Sequence, residues 1–186
     1  MRNFIRGIVV TLLAQAVLVA IVWFLVLPRL DWGADHKPGA VEQTLANNVL
    51  ARWIKYESNS VSNPLPATQE NLKAARADFD EHCAACHGLD GGGANRFEGN
   101  FYPPVAKLTG SAQKMTDAEI YFVIANGIAL SAMPAFGERH SPDEIWKIVL
   151  WVRHLSNLTP SERKEIERET SDREHHHEEM MRQMRD

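Results

Sequence analysis

The chain has 186 residues, with 20 Lys and Arg against 24 Asp and Glu, for a formal net charge of −4. That length fits one domain plus appendages. The near-balanced charge gives no support to a nucleic-acid partner, and two cysteines are too few and too close together for a disulfide framework.

In chain order, Arg2 and Arg6 precede Ile8 to Leu27, a stretch with no charge and one amide, Gln15. About 20 apolar residues are what a helix needs to cross roughly 30 Å of hydrocarbon. Residues 1–28 are therefore expected to form a transmembrane anchor. Arg2, Arg6 and the amino terminus should stay cytoplasmic, and Trp23 and Trp32 flank the far interface. The rival reading is a cleaved signal peptide. The long core and the missing small-x-small site favour a retained anchor, and both readings carry the rest of the chain across the membrane.

Residues 29–67 form a juxtamembrane region. Pro28, Gly33, Pro38 and Gly39 punctuate a loop. Val41, Leu45, Val49, Leu50, Trp53 and Ile54 then recur at helical spacing up to Tyr56, predicting a short helix on the membrane or on the domain. A linker from Ser58 to Thr68 follows.

Residues 68–158 read as the compact domain. Thr68 is a plausible N-cap for a helix through Leu72, Ala75 and Phe79. Residues 88 to 114 are loop-rich, with glycine at 88, 91, 92, 93, 99 and 110 and proline at 103 and 104. Thr116 with Glu119, and Ser141 with Glu144, are capping boxes. The first opens a helix ending at Asn126-Gly127. The second, with Pro142 at the first helical position, opens a helix carrying Ile145, Ile148, Val149, Trp151, Val152 and Leu155. No strand pattern is found, so the fold class is all-α. Residues 159–186 form a charged tail, read as a solvated helix or a disordered extension.

Such a domain is small for its own apolar core, and its central loop is too long for bland structure. Both features are explained if a cofactor fills the middle. The cysteines name the cofactor. Cys83-Ala84-Ala85-Cys86-His87 has the spacing of c-type haem attachment: two thiols three residues apart each add to one vinyl group, and the histidine lies beneath the iron. A structural zinc would need four protein ligands, and no further cysteine exists. A redox dithiol would need alternating strands and helices around it.

The sixth iron ligand separates electron transfer from ligand-binding chemistry. Downstream candidates are Met115, Met133, His140 and His154. Met133 is favoured, because the following Pro134 stiffens its loop and thioether ligation is established in cytochromes. Arg96, Lys107 and Lys114 are given no site role. Adjacent histidines His175, His176 and His177 point different ways around a helix and make no natural single metal site.

Cys83-Ala84-Ala85-Cys86-His87-Gly88, then Pro103 and Pro104 with Leu108, then Met133-Pro134, then Glu144-Ile145-Trp146 to Leu155, resembles the class I c-type cytochromes in order and spacing over residues 68 to 158. The resemblance implies helices and loops wrapped round one covalently attached haem c, with His87 and Met133 as axial ligands. It implies that a proline carbonyl, at Pro103 or Pro104, accepts from the other ring nitrogen of His87. It also implies that the first and last helices cross through Phe79 and Trp151, with Ala75 at the close approach.

The function then expected is one-electron transfer, as a non-enzymatic carrier or as a subunit of a membrane respiratory complex. The chain would be a single-pass inner-membrane protein with a periplasmic haem domain, having the lipid bilayer and redox proteins as partners. The alternative is a haem-based peroxidase or gas sensor with an open sixth position.

Overall fold

A computed structural model describes residues 2–30, 33, 39–58, 60–93, 101 and 103–185. Trp32, Pro38, Arg96 and Gly99, singled out in the sequence, lie outside the described residues. The chain divides into two compact units, Met1–His36 and Lys37–Asp186. No strand occurs among the described residues, as the sequence predicts.

In the first unit, α1 (Arg2–Ile21) continues into a π-helical turn (Val22–Val26) and a 3-10 turn (Leu27–Arg29). The Leu27 N–H donates to the Val22 carbonyl, the five-residue bond that defines the π-turn. Pro28 has no N–H to give, and the ladder tightens into the 3-10 turn that ends at Arg29. The span Asn3–Arg29 has a mean hydropathy of 2.7 over its most apolar stretch. At 1.5 Å per residue it is about 40 Å long, more than the hydrocarbon core of a bilayer requires.

In the second unit, α2 (Ala40–Glu57) matches the periodic stretch. Its C-terminal end docks on the domain: Ile54 is buried, and the Trp53 ring meets Phe122 edge-on at 4.9 Å. The linker is pinned where Asn63 Nδ2 donates to the Trp146 carbonyl at 2.8 Å.

The core is built on α3 (Gln69–His82) crossing α6 (Pro142–His154), the most extensive helix pair. Ala75 is fully buried and lets the two backbones approach. Phe79, Ile145, Ile148, Val149, Trp151 and Leu155 are buried around it, each worth about 1.5–3 kcal/mol for its removal from water. The cap expected at Thr68 forms, its hydroxyl accepting from Asn71 N–H at 3.2 Å. Both expected capping boxes are present, at the starts of α5 (Asp117–Asn126) and α6.

The tail is where the structure adds most. It is a helix, α7 (Pro160–Gln183), opened by a third capping box, Thr159 with Glu162. Ile166 is 3 % exposed and joins the core cluster. Arg76 on α3 reaches across to Glu165 at 3.3 Å and Glu169 at 2.8 Å, while pairing with Asp80 on its own helix. The packed body therefore extends beyond residue 158, and only the distal part of α7 is the solvated helix expected.

Candidate haem site

Cys83 closes α3, and Ala84–His87 forms one further turn, α4. The Cys86 and His87 N–H groups both donate to the Cys83 carbonyl, at 3.1 and 2.9 Å. Both thiols and the imidazole therefore sit on one tight turn. Burial, helped by the nearby Asp78, Cys86 and Asp80, pushes the Cys83 thiol up to about 12. That neighbourhood favours the uncharged thiol of Cys83 over its thiolate.

His87 is half-buried, and its Nδ1 lies 3.0 Å from the Ala106 carbonyl. A carbonyl only accepts, so Nδ1 carries the proton and Nε2 keeps its lone pair for a metal. Burial lowers the imidazole pKa, opposed by the Ala106 hydrogen bond. The net effect favours the neutral ring that iron ligation needs.

The acceptor differs from the one the resemblance implies. Pro103 and Pro104 are exposed, and neither carbonyl takes this bond; Ala106 does. The reason is how the loop returns. The Leu108 N–H donates to the Gly91 carbonyl at 2.8 Å, and the Gly93 N–H donates to the His87 carbonyl at 2.8 Å. These bonds lay residues 105–108 along the turn after His87 and put the Ala106 carbonyl against the ring. Gly91 makes the fit possible: it has φ +69°, and a Cβ there would lie 2.6 Å from Leu155 Cδ1. The loop is then fastened to α6. Gln113 Nε2 donates to the Leu108 and Val152 carbonyls, and Arg153 donates to Asp117 and to the Ala112 and Met115 carbonyls. The sequence carried no signal for Ala106, since any loop carbonyl can serve.

Met133 lies on a loop tied to its own helix. The Ile128 N–H donates to the Met133 carbonyl at 3.1 Å, and the Met133 N–H donates to Ser131 Oγ at 3.1 Å. Phe136 and Gly137 return bonds to the Ile124 and Ala125 carbonyls of α5. The Met133 side chain packs against the core and stays half-exposed, as do Leu108, Met115 and Phe136.

The other ligand candidates have other engagements. His154 Nε2 is 2.9 Å from Glu162 and its ring stacks on Trp151. The His140 ring sits between His82, at 4.8 Å, and Phe136, at 5.5 Å. Its Nδ1 is buried without a hydrogen-bond partner. Among the described residues no group of three or more His, Cys, Asp or Glu side chains could hold a metal ion, the run His175–His177 included.

This donor set fits a covalent haem: two sulfurs on one turn, an imidazole with a fixed proton, and apolar side chains covered on one side only. Residues 70–152 match the family model described as cytochrome C oxidase, cbb3-type, subunit III. With the all-helical fold, that match makes residues 70–152 a class I c-type cytochrome domain, a family that carries covalently bound haem c. Two solved structures are similar to the chain. One belongs to the Kuenenia stuttgartiensis reducing HAO-like protein complex Kustc0457/Kustc0458, with 27% identity, a TM-score of 0.43, and 52% of this chain and 50% of that chain covered. The match thus spans half the length of that relative. The other is cytochrome CL from Methylophaga aminisulfidivorans MPT, with 21% identity, a TM-score of 0.37, and 71% of this chain and 83% of that chain covered. No curated protein matches the chain.

Proposed function

We propose that the chain is a membrane-anchored monohaem electron carrier, or the electron-transfer subunit of a membrane respiratory complex. Cys83 and Cys86 would hold the haem by thioethers, and His87 Nε2 and the Met133 sulfur would ligate its iron. The haem supplies reversible one-electron exchange at iron. The observation that carries this reading is the His87 turn, which puts Cys83, Cys86 and His87 on one tight turn with the imidazole Nδ1 3.0 Å from the Ala106 carbonyl.

The protein's own work is positional. The Ala106 carbonyl orients the His87 ring and raises its basicity. The bonds within the Met133 loop hold a soft sulfur ready, and thioether ligation favours ferrous iron and so a high potential. A rigid, closed coordination shell suits electron transfer, because neither ligand need move. Redox partners are expected to dock transiently through a small interface. Residues 1–28 anchor the chain in the inner membrane, with the amino terminus cytoplasmic and the haem domain periplasmic, so that docking partners are those sharing that membrane.

The test is the far-red charge-transfer band of ferric haem ligated by methionine sulfur, compared between the parent chain and Met133→Ala. The expected result is a band in the parent that vanishes in the variant, with a lower reduction potential. No band in the parent, with ready carbon monoxide binding after reduction, would replace this reading with the peroxidase or gas-sensor alternative.

A further inference from the structure

Helix α2 has two apolar faces, and the domain uses only one. Ile54 and Trp53 meet the domain through α5. Val41, Leu45, Val49 and Tyr56 do not: they are 83, 64, 59 and 87% exposed. The first three follow at four-residue steps, and Tyr56 comes seven residues after Val49. At 3.6 residues per turn all four share one stripe. Arg52 and Asn48 fall on the same stripe, with Lys55 at one border and Glu42 at the other. The face is thus apolar at its start and basic towards its end.

We infer that this stripe lies in the lipid interface of the membrane that α1 crosses, so that α2 is a plate between bilayer and haem domain. The inference rests on reading α1 as a retained anchor. Ten residues, Leu30 to Gly39, separate the end of the apolar span from α2. Fully extended, they reach at most about 35 Å, so α2 is confined to the neighbourhood of the bilayer surface. A lone aliphatic stripe in water at that distance meets lipid at high effective concentration. The flanking chemistry suits lipid better than a protein groove. Arg52 and Lys55 can lay their methylene stems along the apolar boundary and place their cationic heads among phosphates. Tyr56 is an aromatic of the kind that settles at headgroup level. The opposite face of the same helix carries the domain, so seating α2 in the interface restricts the orientations the domain can adopt towards its partners.

The experiment uses the full-length, haem-loaded chain in nanodiscs of phosphatidylcholine and phosphatidylglycerol. Both native cysteines are consumed by the haem, so a single nitroxide can be placed in turn at Leu45→Cys, Val49→Cys, Leu13→Cys in α1 and Lys73→Cys on the exposed side of α3. Each is read by collision with oxygen, which partitions into lipid, and with a water-soluble nickel chelate. The expected result is that labels at 45, 49 and 13 favour oxygen while the label at 73 favours nickel. Labels at 45 and 49 that favour nickel, with 13 still favouring oxygen, would overturn the inference and leave the anchor standing. Labels at 45 and 49 shielded from both agents would also overturn it, because a protein surface or a second copy would then cover the stripe. A label at 13 that favours nickel would remove the anchor and this inference together.

Discussion

Gly127 leaves no room for a side chain. It has φ +65°, and a Cβ there would lie 2.6 Å from the Pro134 carbonyl carbon and 2.7 Å from both the Ala135 nitrogen and the Met133 oxygen. All three are backbone atoms, so nothing can rotate away. The consequence falls on Met133, whose carbonyl is one of the atoms that would have to shift. Gly127→Ala is expected to cost about 1–3 kcal/mol for the forced left-handed conformation and to displace the methionine loop. The far-red methionine band should weaken or disappear while the His87 side of the site, held independently by Ala106, keeps its ligand. An unchanged band and an unchanged reduction potential would show that the loop takes up the extra methyl without moving the Met133 sulfur. Leu130 shows what this loop tolerates elsewhere: a non-glycine residue at φ 58° that is 99% exposed, where a side chain meets no obstacle.

At the scale of elements, three capping boxes of the same design start α5, α6 and α7. The one at α7 has a measurable electrostatic signature. Burial alone would raise the Glu162 carboxyl, but hydrogen bonds from the Thr159 backbone and hydroxyl and from His154 outweigh it and bring the pKa from 4.5 to about 2. A carboxyl depressed on folding contributes stability above its ordinary pKa and loses that contribution as pH falls towards the folded value. Helical signal from α7 should therefore decline between about pH 4.5 and about pH 2. Glu162 is half-buried at the first turn of α7, so the effect is expected as local fraying of α7 rather than global unfolding. Far-UV circular dichroism of the parent minus that of Glu162→Gln isolates this group from Glu144, which is shifted in the same direction by its own Ser141 cap. A difference signal that stays flat through that range would mean the box does not hold α7.

The sequence made α3, α5 and α6 legible because each joins a cap to a periodic apolar face. The start of α7 was equally legible in Thr159-Pro160-Ser161-Glu162, which repeats the pattern of Ser141-Pro142-Asp143-Glu144. Its docking was not. One apolar residue, Ile166, stands in a charged run, and its burial depends on Arg76, some ninety residues earlier, offering a cation to Glu165 and Glu169. Pairings of that separation leave no periodic trace. The turn carrying Cys83, Cys86 and His87 was legible because its spacing is local in the sequence; the Ala106 acceptor was not, because loop register is set by tertiary hydrogen bonds.

For the molecule as a whole, the carrier proposed above would gain a tether if α1 is retained as its anchor. A soluble domain must find its partner by three-dimensional diffusion, at a rate set by its bulk concentration. A tethered domain meets a partner in the same membrane at an effective concentration that short flexible linkers bring to about millimolar, so it can exchange electrons quickly while binding weakly. Weak binding is itself an advantage, since a carrier has to leave after each transfer. On this reading the anchor sets encounter frequency, and the haem ligands set the potential. Replacing residues 1–28 with a cleavable signal should then release a haem-loaded chain with the same reduction potential and the same far-red band. Electron exchange with membrane-embedded partners should fall steeply when that chain is dilute and recover as its concentration rises towards the effective value. Stopped-flow oxidation of the reduced chain by membrane vesicles reads this directly. A rate that does not respond to loss of the anchor would mean that a specific docking interface, and not the tether, governs encounter. A potential that moved with the anchor would mean that the membrane segment reaches the haem environment and that the two roles are not separable.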